Sequence, residues 1–174
     1  MKKIAHLAIV IPLTFSLSLL ALFNTAFSEN FSNSKIKVWG AKGNDQGKFN
    51  EPFAIAVDQS ERVYVADARN HRIQIFDQKG KFLGQWGKHG NGPGDFEKPS
   101  GIAVNNDGDI FVSDYDLDRI QKFTPQGNFL MQWGTPGKNP GQFDSPTGIA
   151  IDSHNYLYVT DTYNHRVQKF NLQG

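Results

Sequence analysis

The sequence contains no cysteine, and charge of one sign does not dominate it: the formal net charge is +1 over 174 residues. The missing cysteine excludes disulfide bonds, thiolate metal sites and a cysteine nucleophile. The balanced charge lacks the basic surplus that attracts nucleic acids and anionic membrane surfaces. We therefore expect no nucleic acid partner and a fold that is stabilised by an apolar core.

The first 28 residues have the features of a secretory signal peptide. Two lysines precede an apolar run from Leu7 to Phe23, and the small residues Ala26 and Ser28 occupy the −3 and −1 positions. This order predicts cleavage after residue 28 and a secreted or cell-surface protein. The alternative is an uncleaved N-terminal anchor, the one case in which we expect a membrane contact. Removing two lysines and no acid changes the net charge from +1 to −1, and residues 29–34 form a short polar tether.

The remainder consists of three copies of one pattern. Trp39, Trp86 and Trp133 are spaced 47 residues apart, and residues 39–85, 86–132 and 133–174 align without a gap. Each copy contains four short segments rich in β-branched and aromatic residues, separated by turns with Asp, Asn and Gly. No sustained helical period competes with them. Four antiparallel strands in a period of this length predict an all-β protein, a β-propeller with one blade per copy.

Two segments carry a resemblance to a known family. Pro99-Ser-Gly-Ile-Ala-Val104 and Asp161-Thr-Tyr-Asn-His-Arg-Val-Gln-Lys-Phe170 resemble the NHL repeat, and the resemblance extends over residues 35–174. NHL-repeat proteins form β-propellers, most often with six blades. The resemblance therefore implies a propeller built from four-stranded NHL blades.

Three blades are fewer than the four to eight that close a propeller. An open arc would expose an apolar sheet face at each end, which monomers rarely tolerate. Two explanations stay open: the chain is a partial propeller from a longer protein, or two chains form a six-bladed ring as a homodimer. Residues 35–39, which align with the end of a fourth strand, are predicted to close the last blade.

The loops on one side of the blades are the predicted binding face. The long glycine-rich connections between blades (d–a loops) and the turns between second and third strands (b–c turns) should emerge on the same side, and binding residues concentrate on such loops. The candidate binding residues are Lys42, Arg69, Asn70, His71, Lys88, His89, Tyr115, Asp116, Asp118, Tyr163, Asn164 and His165.

Other residues recur in every copy and are therefore predicted to be structural. An aspartate accepts turn N–H groups, an arginine five residues later donates to carboxylates or carbonyls, and a tryptophan packs between blades. These residues are Asp67, Arg72, Asp114, Arg119, Asp161, Arg166, Trp39, Trp86 and Trp133.

No metal site is expected from the sequence, although zinc or calcium is conceivable. His71 and His165 occupy equivalent turns of different blades, too far apart to share one zinc ion. Asp114, Asp116 and Asp118 alternate as calcium ligands can, but the glycine and distal glutamate of an EF-hand loop are missing. We therefore interpret the histidines as turn residues and the aspartates as a solvated acidic turn.

The sequence also lacks a nucleophile elbow, an HExxH motif and a cofactor fingerprint, so no catalytic residue is assigned. We predict an exported, non-catalytic scaffold that binds a protein, peptide or glycan. The resemblance implies one alternative, a metal-dependent lyase of the peptidyl-hydroxyglycine amidating type, whose site uses metal-bound histidines around the axis. It also implies RNA binding, which some NHL propellers show, but the signal peptide and the charge of −1 argue against it.

Overall fold

The computed structural model describes residues 36–174, so the predicted signal peptide and the tether lie outside the described residues. In the described part of the chain, eleven strands form three antiparallel sheets with neighbouring strands paired in chain order. Blade 1 contains β1 (Pro52–Val57), β2 (Val63–Asp67), β3 (Arg72–Phe76) and β4 (Phe82–Trp86). Blade 2 contains β5 (Pro99–Val104), β6 (Ile110–Asp114), β7 (Arg119–Phe123) and β8 (Phe129–Trp133). Blade 3 contains β9 (Pro146–Ile151), β10 (Leu157–Asp161) and β11 (Arg166–Phe170). The predicted all-β blades are confirmed.

Among the described residues, helical structure is limited to two single 3-10 turns, Ala68–Asn70 and Thr162–Asn164. Both lie between the second and third strands of their blades. Within residues 36–174, no helix has the length and apolar character needed to cross a membrane.

The first strand of each blade begins two residues before the apolar segment that predicts it, which is 54–57, 101–104 or 148–151. In blade 2, β5 begins at Pro99, which pairs with Asp114, and the register shifts by one residue before Gly101 pairs with Ser113. The same irregularity occurs in blades 1 and 3. Such a bulge leaves one residue unpaired and bends the strand. Pro99 has no backbone N–H, but the sheet does not require that donor at the first position of a strand.

The apolar core lies between neighbouring sheets. Between blades 1 and 2, Tyr64 and Ile73 pack with Ile110, Val112 and Phe123, all buried. A second cluster fills the space between blades 2 and 3, where Phe111, Ile120, Phe143, Leu157 and Val159 have no exposed surface. Burying each such side chain stabilises the fold by roughly 1.5–3 kcal/mol. Blade 2 is therefore covered on both faces.

The repeated tryptophans pack against glycines in the following blade. The Trp86 ring lies over Gly127, where an added Cβ would be 2.7 Å from the ring. Gly127 has a φ of +85°, so this turn requires glycine both for its backbone conformation and for the approach of the indole. Trp39 and Trp133 contact Gly80 and Gly174 in the same way.

Residues 36–39 belong to the segment that is predicted to close the last blade. None of them is in a strand, and Ile36 and Val38 are almost fully exposed. The Trp39 ring packs on Gly80 of blade 1 as Trp86, at the end of β4, packs on Gly127 of blade 2. β11 lies at the edge of a three-stranded sheet, and a closing strand supplied by residues 35–39 stays a prediction.

The two outer sheet faces of the arc expose apolar side chains. Ile55 and Val57 on β1 are 62% and 59% exposed, and Val167 on β11 is 63% exposed. At the matching repeat positions in blade 2, Ile102 and Ile120 are buried between blades. The exposed faces thus carry the same residue types as the internal interfaces.

Candidate binding face

The d–a loops and the b–c turns lie on one side of the blades, which we call the loop face. It comprises residues 40–51, 87–98 and 134–145 together with turns 68–71, 115–118 and 162–165. Side chains from the turns reach the loops directly: the Asn70 amide donates to the Gly43 carbonyl at 2.9 Å, and Asn164 donates to Gly137 at 2.8 Å. The opposite face carries only short turns, such as residues 58–62 and 77–81.

A buried aspartate organises the loop face of blade 1. Asp67 has no exposed surface, and its carboxylate accepts hydrogen bonds from the Asn50 backbone N–H at 2.7 Å, Asn70 Nδ2 at 2.8 Å and Arg72 Nε at 2.8 Å. Gln74 Nε2 adds a fourth donor at 3.0 Å. Every buried donor around the carboxylate is therefore satisfied, which makes the turn rigid.

The arginine and glutamine complete this framework by holding the d–a loop. Arg72 Nη2 donates to the Asp45 and Lys48 carbonyls, both at 2.9 Å. Gln74 donates to the Lys48 carbonyl at 2.7 Å and accepts from the Gly47 N–H at 2.9 Å. Arg166 and Gln168 make the equivalent bonds in blade 3. The repeated Asp, Arg and Gln side chains thus point into the protein and shape the loops.

Blade 2 has a weaker version of the framework. Leu117 replaces the asparagine found at positions 70 and 164, so Asp114 loses an amide donor. Arg119 still holds the loop carbonyls, but its buried Nε has no hydrogen-bond partner among the described residues. Burial raises the pKa of Asp114, and the bonds from the Lys98 and Glu97 N–H groups do not offset it.

Asp161 in blade 3 shows the contrast. Burial raises the pKa of Asp161 as well, but the hydrogen bonds from the Asp144 N–H, Asn164 and Arg166 outweigh burial and hold this pKa below its usual value. The same repeated aspartate therefore sits in two different electrostatic environments. Burial also lowers the pKa of Arg119 despite the nearby Asp114 and Asp95.

The predicted binding residues fall into two groups. Asn70 and Asn164 belong to the framework, since their amides are engaged by loop carbonyls and buried carboxylates. Asp118 accepts from the Ser145 N–H at 2.7 Å. The others are exposed or half-buried on the loop face: Lys42, Arg69, His71, Lys88, His89, Tyr115, Asp116, Tyr163 and His165.

Two tyrosines form an aromatic patch on the loop face across blades 2 and 3. The ring centroids of Tyr115 and Tyr163 lie 6.4 Å apart in an edge-to-face arrangement, and their hydroxyls are 3.1 Å apart. Lys98 Nζ lies 4.4 Å from the Tyr115 centroid and 5.3 Å from that of Phe53. Phe53 and Tyr163 are 51% and 58% exposed. The patch therefore offers aromatic surface beside a cation.

The tyrosines are not part of the repeated framework. At the Tyr115 position the other copies have Ala68 and Thr162, and at the Tyr163 position they have Arg69 and Asp116. The fold forms without a tyrosine at either position in the other copies. The two tyrosines therefore have no role in the fold that all three copies share.

A second group on the loop face joins two blades. His71 lies in the b–c turn of blade 1, and His89 and Glu97 lie in the d–a loop that enters blade 2; one potential ligand atom from each lies within 4.8 Å of the others. Within residues 36–174 no other such group of three His, Cys, Asp or Glu side chains occurs.

Comparison of equivalent positions in different copies does not predict this group, because it pairs His71 with His165 and leaves Glu97 aside. The order of the loops along the chain does predict it. A b–c turn and the d–a loop that follows it lie on the same side of the blades, so His71 is expected close to the segment from His89 to Glu97. The alternating aspartates of blade 2 do not converge, since Asp114 points into the framework and Asp118 binds Ser145.

Comparisons with known proteins agree with this architecture. A family model described as a 6-bladed beta-propeller matches residues 43–124, and the NHL repeat model matches residues 143–170. Protein lin-41 of Caenorhabditis elegans is 43% identical over 59 residues, which are 34% of this chain and 5% of that protein. Protein brain tumor of Drosophila melanogaster is 48% identical over 44 residues, 25% of this chain and 4% of its own length.

The mouse E3 ubiquitin-protein ligase TRIM32 is 47% identical over 45 residues, 26% of this chain and 7% of the ligase. The chain thus matches only a small part of each of these relatives.

Solved structures share the fold at low identity. A streptogramin B lyase superimposes with a TM-score of 0.59 and 19% identity, covering 79% of this chain and 42% of the lyase. A protein of Bacteroides fragilis gives a TM-score of 0.60 at 19% identity, covering 80% of this chain and 40% of that one. These likenesses and the repeated blades show the fold, three blades of a β-propeller, and the matched family model shows that the chain contains an NHL repeat.

Proposed function

We propose that this protein is an exported scaffold that binds a protein or peptide through its loop face. The observation that carries the proposal is the pair formed by the exposed Tyr163 and the half-buried Tyr115 beside Lys98. Tyrosine is enriched in protein interfaces because it offers a rigid apolar ring and a hydroxyl that hydrogen-bonds. The framework beneath it is fixed by Asp114 and Asp161, so the side chains are held in place before binding.

Export is the part of the proposal that rests on the sequence alone. The basic start, apolar run and small residues of positions 1–28 support a cleaved signal peptide and a secreted or cell-surface location. A mixed set of charges on the loop face, including Arg69 paired with Glu51 at 2.9 Å, supports a protein partner over nucleic acid.

The test compares two exposed tyrosines on opposite faces. Tyr163→Ala removes a loop-face ring, and Tyr156→Ala removes a ring that is 41% exposed in the turn at residues 152–156 on the opposite face. Each variant and the wild type are immobilised, and proteins captured from the extracellular fraction of the source organism are quantified by mass spectrometry. We expect a partner that wild type and Tyr156→Ala retain and that Tyr163→Ala loses by at least about tenfold, the effect of a 1.4 kcal/mol hot spot.

Equal capture by all three proteins, or loss with Tyr156→Ala alone, would contradict a loop-face binding site. Circular dichroism of each variant checks that the fold is intact, so a loss of capture reports on the surface.

We also propose that a second copy covers the exposed sheet faces and completes a six-bladed ring. Val167 occupies the repeat position of Ile73 and Ile120, which are buried between blades. Ile55 corresponds to Ile102 in the same way. The outer face of blade 3 and the outer face of blade 1 therefore resemble the two sides of an internal interface. Around a two-fold axis, blade 3 of each chain would pack on blade 1 of the other chain.

Light scattering after gel filtration tests the ring. We expect twice the mass of one chain for the wild type, the mass of one chain for Val167→Lys, and an unchanged double mass for Leu83→Lys. Leu83 is 49% exposed on the outer strand β4, so it controls for the added charge. A wild type with the mass of one chain and a cooperative melting transition would contradict the ring.

A further inference from the structure

The side chains of His71, His89 and Glu97 form a compact group between blades 1 and 2. His89 Nε2 lies 2.8 Å from Glu97 Oε2, and the centroids of the two imidazole rings are 4.6 Å apart. His71 Nδ1 lies 2.6 Å from the Glu97 backbone carbonyl oxygen. Three potential ligand atoms therefore face a common space that the b–c turn and the d–a loop enclose from two sides.

The tautomer of His71 follows from its partner. A carbonyl oxygen can only accept a hydrogen bond, so Nδ1 carries the hydrogen and Nε2 keeps its lone pair. Histidines that bind metals typically donate their second ring nitrogen to a carbonyl or carboxylate in this way, which fixes the ring and directs the lone pair. The turn adds rigidity, because His71 has a φ of +54° and its N–H bonds the Ala68 carbonyl.

The three side chains are not required by the repeated framework. At the His89 position the other copies have Lys42 and Pro136, and at the Glu97 position they have Asn50 and Asp144. What the framework uses at Glu97 is its backbone N–H, which donates to Asp114 at 2.9 Å. No other copy has the three residues together, so repetition does not explain their presence.

The charged surroundings are compatible with a cation. Two basic residues line the hollow beside His71 and Glu97, and both have other contacts: Arg69 pairs with Glu51, and Lys98 lies over the Tyr115 ring. Asp116 lines the same hollow as His71 and Glu97 and adds a negative charge. The side chains of His89 and Glu97 are 66% and 38% exposed, so both have room to rotate into ligand distance.

We propose that His71, His89 and Glu97 bind a divalent transition metal ion of the zinc class. Two imidazoles and one carboxylate are a donor set that zinc accepts, and three protein ligands leave one position of a tetrahedral ion open. The ion would link the b–c turn of blade 1 to the d–a loop of blade 2. Its open position faces the loop face, where water or a donor group of a bound protein would complete the coordination.

The experiment titrates untagged, chelator-treated protein with zinc chloride in a calorimeter. We expect one ion per chain with a Kd of about 1 μM or below. His89→Ala is the main variant because the exposed side chain can be removed without disturbing the core, and it should weaken zinc binding by at least about tenfold. Glu97→Gln, which keeps the shape and removes the charge, should weaken it similarly. Cobalt(II) in place of zinc should give the visible absorption of a four-coordinate ion.

His165→Ala is the matched control, because His165 occupies the repeat position of His71 in blade 3. We expect it to leave zinc affinity unchanged. Absence of a one-to-one binding event in the wild type would overturn the proposal, and so would zinc affinity that survives His89→Ala or falls equally with His165→Ala.

Discussion

Gly101→Ala is expected to lower the free energy of unfolding by about 3 kcal/mol, the upper end of ordinary overpacking. A Cβ at Gly101 would overlap the Thr147 carbonyl oxygen of blade 3 and lie 2.6 Å from Ser113 Oγ. The Thr147 oxygen is backbone, and it accepts the Ser113 hydroxyl at 2.7 Å. The Thr147 oxygen cannot move without separating β5 from β9, so the substitution acts on the contact that joins two blades.

Gly148→Ala provides the control at the same repeat position. There an added Cβ would be 3.3 Å from Thr160 Oγ1 at the exposed side of blade 3, and the first copy has Ala54 at this position. We expect Gly148→Ala to unfold at nearly the wild-type urea concentration. Equal unfolding midpoints for Gly101→Ala and the wild type would show that β5 and β9 do not approach as described.

Asp67→Ala is expected to destabilise the protein by about 3–5 kcal/mol, as removal of one partner from a buried ion pair does. The substitution leaves Arg72 Nε and the Asn50 N–H without their acceptor. Arg72 side-chain exposure is only 7%, so water cannot replace the carboxylate fully. For a chain of this size the melting temperature should fall on the order of 10 °C, which calorimetry measures.

Asp45→Ala is the matched control for Asp67→Ala. Asp45 pairs with Lys48 at 2.7 Å, but both side chains are well exposed, so its loss should leave the melting temperature unchanged. The Asp45 carbonyl that Arg72 contacts is backbone and is kept in the variant. A melting temperature of Asp67→Ala equal to that of Asp45→Ala would mean that the aspartate does not organise the blade.

Much of the fold was predictable because it is local and repeated. The spacing of Trp39, Trp86 and Trp133 indicates blades, and the polar turns indicate where strands end. The first residues of the strands are harder to predict from sequence. β5 begins at Pro99 through a bulge, and that bulge depends on pairing with Asp114. The closing strand at residues 35–39 follows from alignment alone. Residues 36–39 lie in no strand of this chain, and the closing strand stays a prediction.

The sequence predicts on which side of the blades the candidate site lies, but not which side chains contact one another there. The chain direction in an up-and-down sheet places the d–a loops and b–c turns together, which the Asn70 and Arg72 contacts bear out. The contact of Tyr115 with Tyr163 joins the turns of two blades, and it depends on how far each blade rotates relative to the next. Sequence periodicity contains no information on that angle. Adjacency of a b–c turn and the following d–a loop brings His71 near residues 89–97, but the hydrogen bond to the Glu97 carbonyl depends on the same angle.

Hydrogen exchange of the partner complex tests the binding face most directly. The wild-type chain is compared free and bound to the protein that it captures, and the protected backbone amides are assigned. We expect protection in residues 87–98, 115–118 and 162–165 of the loop face, with turns 58–62, 105–109 and 152–156 unchanged. Protection confined to those opposite turns would contradict the proposed mode of binding.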